Sequence, residues 1–89
     1  MIEQGATIVN KLGLHARAAA KLVTCANQFS SAVSLKYDGQ EVNGKSIMGV
    51  MMLAAAKGSD ILLIVDGEDE TAAVEALQLL VANRFGEDE

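Results

Sequence analysis

His15 and Arg17 are the residues whose types and spacing are best suited to chemistry. His15 is the only histidine in the chain, and Arg17 follows two positions later. A neutral imidazole keeps one ring nitrogen free to act as a nucleophile near pH 7. An arginine side chain offers a planar fork of N–H donors that matches the oxygens of a phosphate group. The pair therefore indicates a histidine that can be phosphorylated, with an arginine placed to hold the phosphate.

The place of His15 strengthens this interpretation, because a helix is predicted to begin directly after it. The apolar positions that follow have helical spacing, at Ala19, Leu22, Val23 and Ala26. Ser, Thr, Asp and Asn are the usual residues at such a start, and histidine is not. The free backbone N–H groups of a first helical turn also favour a bound anion. The alternative is that His15 is a surface or capping residue without chemistry.

Composition limits the class of protein. The 89 residues include 51% hydrophobic residues and no proline, which predicts one domain over residues 1–89 with a single modest core. No apolar run approaches the ~20 residues of a membrane span, and the N-terminus shows no secretory signal. One histidine and one cysteine supply too few ligands for zinc, and we interpret Cys25 as a reduced thiol near the buried side of the first helix. We expect a cytoplasmic protein with no metal, no cofactor and no membrane insertion.

Charge is divided unevenly along the chain. Residues 1–57 carry six basic and three acidic side chains, whereas residues 58–89 carry one basic and nine acidic ones. We expect a locally positive region around His15 that attracts phosphate or an anionic partner. Its basic residues are Lys11, Arg17, Lys21 and Lys45. The net charge of −5 and the aromatic content of 3% disfavour nucleic acid as a partner.

The pattern of the whole chain predicts the element order β-α-β-β-α-β-α. Apolar alternation and short apolar runs indicate strands at residues 4–9, 33–37, 40–42 and 61–65. Helical spacing and end signals indicate helices at residues 16–27, 47–53 and 71–85. A loop at residues 10–13 delivers His15, Asp38 and Gly39 form a hairpin turn, and residues 87–89 form a solvated tail. This order predicts an α+β fold with helices over a mainly antiparallel sheet.

A second candidate site begins at Ser46, a residue well suited to cap the helix that follows. The segment from Ile47 to Leu53 is apolar on more than one face, so a short helix in a small domain cannot bury all of it. Flexible methionine side chains suit a surface that accepts several partners, and an exposed apolar patch often marks an interaction site. The alternative is a simple core helix.

One pattern favours a different class of function. Residues 39–46 fit the P-loop signature G-x-x-x-x-G-K-[ST], and residues 61–66 resemble the apolar strand ending in Asp that often accompanies it. However, Gly39 is predicted in a hairpin turn and Val42 in the returning strand, whereas a P-loop connects one strand directly to a helix. The chain also lacks the repeated β-α alternation of a parallel sheet. A small NTP-binding module is therefore the disfavoured alternative.

Two segments resemble the motifs of one protein family. Residues Asn10–Arg17 resemble the active-centre motif of the HPr family, and residues Lys45–Met51 resemble its regulatory-serine motif. HPr proteins are the histidine-containing phosphocarriers of the bacterial phosphoenolpyruvate-dependent sugar phosphotransferase system. The resemblance runs over nearly the whole chain. It implies a four-stranded antiparallel sheet with three helices on one face, an open-faced sandwich.

The resemblance also implies roles for individual residues. His15 would accept a phosphoryl group on Nδ1 from phosphorylated Enzyme I and pass it to an Enzyme IIA domain. Arg17 would stabilise the phosphate, together with the backbone N–H groups of Ala16 and Arg17. The family's docking surface corresponds to Ala16, Ala20, Ile47, Met48 and Met51. The protein would then be a monomeric carrier that is itself phosphorylated, and not an independent catalyst.

Ser46 resembles the serine that HPr kinase/phosphorylase modifies in this family. A phosphate there would add a charge of about −1.5 to −2 beside the docking surface, which is expected to weaken partner docking. This motif favours a role in sugar transport and carbon catabolite regulation. The alternative is a paralogous regulatory relay of the nitrogen type without sugar transport. The chain departs from the family at Ala18, where many members have proline.

Overall fold

The computed structural model describes residues 1–89 and has the predicted order of elements. The four strands are β1 (Ile2–Thr7), β2 (Ala32–Tyr37), β3 (Gln40–Asn43) and β4 (Asp60–Asp66). The three helices are α1 (Ala16–Ala26), α2 (Ile47–Met52) and α3 (Glu70–Ala82), followed by a 3-10 turn at Arg84–Gly86.

The strands form one antiparallel sheet in the order β1-β4-β2-β3. Alternate residues of the central strand β4 are buried, at Ile61, Leu63 and Val65, because successive side chains of a strand point to opposite faces. Leu35 of β2 lies opposite Leu63 and is also buried. The buried face carries the three helices, which confirms the predicted α+β sandwich with a four-stranded antiparallel sheet.

Helix α1 contributes the predicted apolar face to the core. Its buried residues are Ala18, Ala19, Leu22, Val23 and Ala26, and α1 packs against both α2 and α3. Cys25 is a partly buried free thiol that packs against this core. The start of α1 is therefore held on a rigid support, which is what a site at His15 requires.

Two elements, β1 and α3, differ from the predicted ranges by more than one residue at an end. Strand β1 runs from residue 2 to residue 7 because its register with β4 begins at Ile2 opposite Val65 and ends at Thr7 opposite Asp60, the first residue of β4. Helix α3 ends at Ala82, and the chain then turns because Arg84 and Phe85 adopt left-handed φ angles of 56° and 54°. Phe85, the last residue of the predicted helix, is buried but lies outside α3.

The prediction that residues 87–89 form a solvated tail is wrong for Glu87, whereas Asp88 and Glu89 are exposed as expected. After the left-handed turn the chain runs back toward the loop before α1, where the backbone N–H of Lys11 donates to the carbonyl of Glu89 at 2.9 Å. The side chain of Glu87 is only 15% exposed. The acidic C-terminus is thus brought against the segment that carries His15.

The P-loop pattern lies in an unsuitable structural context. Gly39 follows β2 in the hairpin turn, and Val42 lies in β3 opposite Leu35. Residues 40–43 of the pattern form strand β3, so the pattern is not a loop that joins one strand directly to a helix. Separately, none of the helices has the length and apolar character needed to cross a membrane.

Candidate functional site

The loop at residues 10–14, directly before His15, is tightly packed and fixes the backbone position of His15. Gly13 has a φ of +66°, and a Cβ atom there would lie 2.5 Å from the carbonyl oxygen of Ala55. The backbone N–H of Leu14 donates to the same oxygen at 2.9 Å. The fully buried side chain of Asn10 closes the loop, since its Nδ2 donates to the carbonyl of Gly13 at 2.9 Å. These contacts therefore hold the backbone of His15 in one position at the start of α1.

His15 is the N-cap residue of α1, with φ −76° and ψ 178°. Its carbonyl accepts the first helical hydrogen bond, from Ala19 at 2.8 Å, but its side chain caps no backbone N–H group. The N–H groups of Ala16, Arg17 and Ala18 consequently have no acceptor within the protein. Three free donors and the positive end of the helix dipole thus lie beside the imidazole, an arrangement that suits a phosphate.

His15 and Arg17 line the same open cleft, which has a volume of about 600 Å³. The Arg17 side chain is exposed and makes no hydrogen bond or ion pair in the structure. Its guanidinium is free to bind an anion in the cleft. The structure thus brings together the residues that the sequence singled out for phosphate chemistry.

Glu87 is a member of the site that the sequence pattern does not predict. Its Oε2 contacts Nε2 of His15, and its Oε1 accepts a hydrogen bond from Nδ2 of Asn10 at 3.0 Å. Hydrogen bonding by Asn10 and, to a smaller extent, by His15 lowers the pKa of the Glu87 carboxyl below its ordinary value. Since Glu87 lies 72 residues from His15, no local spacing signals the contact.

The cleft is less positive than the sequence predicted. Glu87, Asp88 and Glu89 line it together with Lys11 and Arg17. The ammonium group of Lys11 lies 3.8 Å from Oε2 of Glu89. The remaining two basic residues of the predicted region donate to backbone carbonyls, Lys21 to Phe85 at 2.6 Å and Lys45 to Phe29 at 2.8 Å. The prediction failed because the fold returns the acidic C-terminus to the basic half of the chain.

Helix α2 packs against α1 and exposes several large apolar side chains. Its large exposed side chains are Ile47, Met48, Met51 and Met52. Val50 is buried, so the helix contributes to the core with one side only. The prediction that part of this segment remains exposed is confirmed. On the α1 side, Ala16 is exposed and Ala20 is half-buried. We call Ala16, Ala20, Ile47, Met48 and Met51 the α1–α2 patch.

Leu12 adds an exposed apolar side chain to the cleft that holds His15. Its side chain is 67% exposed and lines the cleft. The sequence predicts Leu12 only as part of the loop at residues 10–13, although a leucine in a short polar loop beside the histidine is itself a sign of an apolar contact surface.

Ser46 is the N-cap of α2, as predicted. Its Oγ accepts a hydrogen bond from the backbone N–H of Gly49 at 3.1 Å. Ser46 does not line the His15 cleft, so it belongs with the α1–α2 patch and not with the phosphate-binding groups. The structure holds no group of three or more His, Cys, Asp and Glu side chains placed to bind a metal ion.

Comparison with known proteins extends these observations. A family model described as "PTS HPr component phosphorylation site" matches residues 2–83. The phosphocarrier protein HPr of Cupriavidus necator is 56% identical over 89 residues, which cover 100% of both chains. The crystal structure of HPr-C-His from Thermoanaerobacter tengcongensis has a TM-score of 0.95 and 44% identity and also covers 100% of both chains.

A second structure from that organism bears on the state of assembly. The crystal structure of an HPr dimer from Thermoanaerobacter tengcongensis has a TM-score of 0.78 and 45% identity, and the match covers 98% of this chain and 100% of that one. A similar chain therefore occurs as a dimer. That this chain is a monomer stays a prediction.

Proposed function

The chain belongs to the HPr family, the phosphocarriers of the bacterial phosphotransferase system, and we propose that His15 is the residue that carries the phosphoryl group. The observation that supports this most strongly is the position of the only histidine beside the free N–H groups of Ala16, Arg17 and Ala18. Nε2 faces Glu87, whereas Nδ1 has no hydrogen-bond partner. The proposed nucleophile is therefore Nδ1.

In the proposed reaction, phosphorylated Enzyme I is the donor and an Enzyme IIA domain is the acceptor. The lone pair of Nδ1 attacks phosphorus, a bond from Nδ1 to phosphorus forms, and the bond to the donor side chain breaks with its electron pair returning to the donor. Transfer to Enzyme IIA repeats the exchange with His15 as the leaving group. Such transfer depends chiefly on positioning and on stabilising the charge of the phosphoryl oxygens.

The groups proposed to stabilise those oxygens are the Arg17 guanidinium and the backbone N–H groups of Ala16 and Arg17. Arginine binds phosphate oxygens through two parallel N–H donors, and the free N–H groups of a helix start add further donors. Neither set has a competing partner inside the protein. The site is thus ready to receive a phosphoryl group without breaking internal hydrogen bonds on these residues.

We assign docking of Enzyme I and Enzyme IIA to the α1–α2 patch. The patch is exposed, apolar and next to the start of α1, and methionine side chains adapt to partners of different shape. One patch that serves donor and acceptor in turn suits a carrier, because each partner must leave before the next can dock. The proposal includes the cytoplasmic location and the monomeric state expected from the sequence.

Ser46 is the proposed site of regulatory phosphorylation by HPr kinase/phosphorylase. Its hydroxyl lies at the start of α2, directly before Ile47 of the patch. A phosphate would add a charge of about −1.5 to −2 there and oppose burial of the patch under a partner. A serine that can be phosphorylated at this position favours a regulated carrier in sugar uptake over a relay of the nitrogen type. To distinguish the two roles, the phosphorylated protein is incubated with an Enzyme IIA domain of the sugar-uptake branch or of the nitrogen branch. The rate at which each domain removes the phosphoryl group from the protein is then measured.

The direct test is phosphorylation of the purified protein with phosphoenolpyruvate and catalytic Enzyme I. We expect one acid-labile phosphoryl group per chain, absent from the His15→Ala variant and retained in the Ser46→Ala variant. Label that persists without His15 would contradict the proposal. The regulatory part is tested by incubation with HPr kinase/phosphorylase and ATP. An acid-stable label on the wild type that is absent from the Ser46→Ala variant would support it.

A further inference from the structure

We propose that Glu87 is a positioning residue for phosphoryl transfer to His15, holding the Nε2 proton so that the lone pair stays on Nδ1. This inference rests on the proposed role of His15. The family match ends at residue 83, so Glu87 lies in the C-terminal segment outside it. The contacts of Glu87 alone therefore support its role.

The contact fixes which ring nitrogen carries the proton. An ionised carboxylate only accepts hydrogen bonds, so Nε2 must be the protonated nitrogen of a neutral imidazole that faces Oε2 of Glu87. The other nitrogen, Nδ1, then carries the lone pair. Hydrogen bonding from Asn10 lowers the pKa of Glu87, which keeps the carboxylate ionised near neutral pH. A carboxylate that orients a histidine in this way is a recurring device at reactive histidines.

The carboxylate is itself held in place by the loop that delivers His15. Nδ2 of Asn10 donates both to Oε1 of Glu87 at 3.0 Å and to the carbonyl of Gly13 at 2.9 Å. Asn10 is fully buried, so its amide group has little freedom to move. The histidine and its carboxylate partner are therefore positioned from one rigid side chain.

The chain on both sides of Glu87 is also anchored. Before it, the buried side chain of Phe85 and the hydrogen bond from Lys21 to the Phe85 carbonyl fix the turn. After it, the carbonyl of Glu89 accepts from the backbone of Lys11 at 2.9 Å. Glu87 thus occupies a fixed position between two attachment points, which a loose acidic tail would not provide.

The proposed step needs no proton transfer. When the bond from Nδ1 to phosphorus forms, the ring gains positive charge while the proton stays on Nε2 against the Glu87 carboxylate. When the phosphoryl group leaves for the acceptor, the electron pair of that bond returns to Nδ1 and the neutral ring is restored. The carboxylate stabilises the charged ring in between, because the two charges are opposite and in contact.

The tautomer is measurable because the protein contains one histidine, so the ring nitrogens of a ¹⁵N-histidine sample give signals from His15 alone. Two variants remove the contact, Glu87→Gln and Glu87→Ala. Asp88→Asn is the matched control, since Asp88 lines the same cleft and the change removes the same charge, but its carboxylate contacts neither His15 nor Asn10. Initial rates of phosphorylation by Enzyme I are measured on the same samples.

We expect the wild type and Asp88→Asn to hold the Nε2–H tautomer and to react at rates within about twofold of each other. In both Glu87 variants the ring signals shift toward a mixture of tautomers, and phosphorylation slows about tenfold, the size expected for loss of one charge-assisted hydrogen bond. Unchanged ring signals, or phosphorylation at the wild-type rate or faster, would overturn the role of Glu87. Failure of the wild type to be labelled on His15 would instead overturn the proposed function.

Discussion

Asn10 and Glu87 are joined by a hydrogen bond across 77 positions of sequence, and the same Asn10 side chain holds the loop before His15. One buried amide thus connects the C-terminal segment to the start of α1. We expect stability and reactivity to be coupled at Asn10, because its side chain holds both the loop before His15 and the carboxylate that faces the ring.

Replacing Asn10 with alanine removes both hydrogen bonds and leaves the Gly13 carbonyl without its partner. We expect the free energy of unfolding to fall by about 2 kcal/mol, since an unsatisfied buried polar group costs about 1–3 kcal/mol. Urea denaturation measures this change. The control is Asn43→Ala, whose exposed side chain accepts one local hydrogen bond from Lys45 and whose loss is expected to cost less than about 1 kcal/mol. Equal losses in the two variants would contradict this view of Asn10.

Local patterns in the sequence were sufficient to predict that α1, α2 and the four strands of the sheet form. The apolar spacing after Ala16 and the cap at Ser46 placed both helices to within one residue, since each signal lies inside the element that it defines. The part played by Glu87 could not be predicted in the same way. It depends on left-handed backbone angles at Arg84 and Phe85, residue types that do not favour that conformation, and on a contact between the two ends of the chain.

Asp69 gives the protein an acid-sensitive attachment between α3 and β2. Its carboxylate accepts from the Ser31 hydroxyl and from the backbone N–H groups of Ser30 and Ser31, at 2.9 and 3.0 Å for the two N–H groups, and these bonds lower its pKa to about 2. Because the folded pKa is below the ordinary value of 3.8, the stabilisation is present above about pH 4 and is lost as the pH falls through about 2.

We therefore expect the Tm of the wild type to fall more steeply between pH 4 and pH 2 than that of Asp69→Asn, which has no charge to lose at this position. At pH 7 the variant should be the less stable protein, and the difference should shrink on acidification. The neighbouring Glu68→Gln variant is the control, because Glu68 is exposed and makes no hydrogen bond. A constant difference in Tm across this pH range would refute the argument.

Ala18 is the position at which the resemblance to the HPr family implies proline in many members, and the backbone of α1 is compatible with proline there. The Ala18 N–H has no acceptor, so proline there removes no hydrogen bond. We expect Ala18→Pro to lower the free energy of unfolding by less than about 1 kcal/mol, whereas Ala20→Pro, inside the helical ladder, should cost about 3 kcal/mol. Thermal unfolding of both variants measures this. Similar losses would show that the buried site at Ala18 cannot accept the larger ring.

Met48 and Met52 provide a matched test of the α1–α2 patch. Both are methionines of α2 with similar exposure, 71% and 70%, but only Met48 belongs to the patch. Alanine is compatible with a helix at either position, so the fold should be retained. We expect Met48→Ala to raise the KM of Enzyme I for the protein severalfold, since an apolar anchor at an interface is worth roughly 1 kcal/mol or more. Met52→Ala should stay within about twofold, and the opposite order would place the docking surface elsewhere on α2.

The charge at Ser46 can be changed without removing the cap of α2. Aspartate and asparagine both replace serine well at a helix N-cap, so Ser46→Asp and Ser46→Asn should retain the bond from Gly49 and differ only in charge. We expect Enzyme I to phosphorylate Ser46→Asp several times more slowly than Ser46→Asn, because docking on the α1–α2 patch would place the added carboxylate against the partner. Raising the ionic strength should narrow the gap, since salt screens exposed charges over about 10 Å at 0.1 M. Initial rates at low and high salt measure both effects. If the two variants reacted equally fast at low salt, charge at Ser46 would not be the means of control, and a phosphate there would have to act through its size.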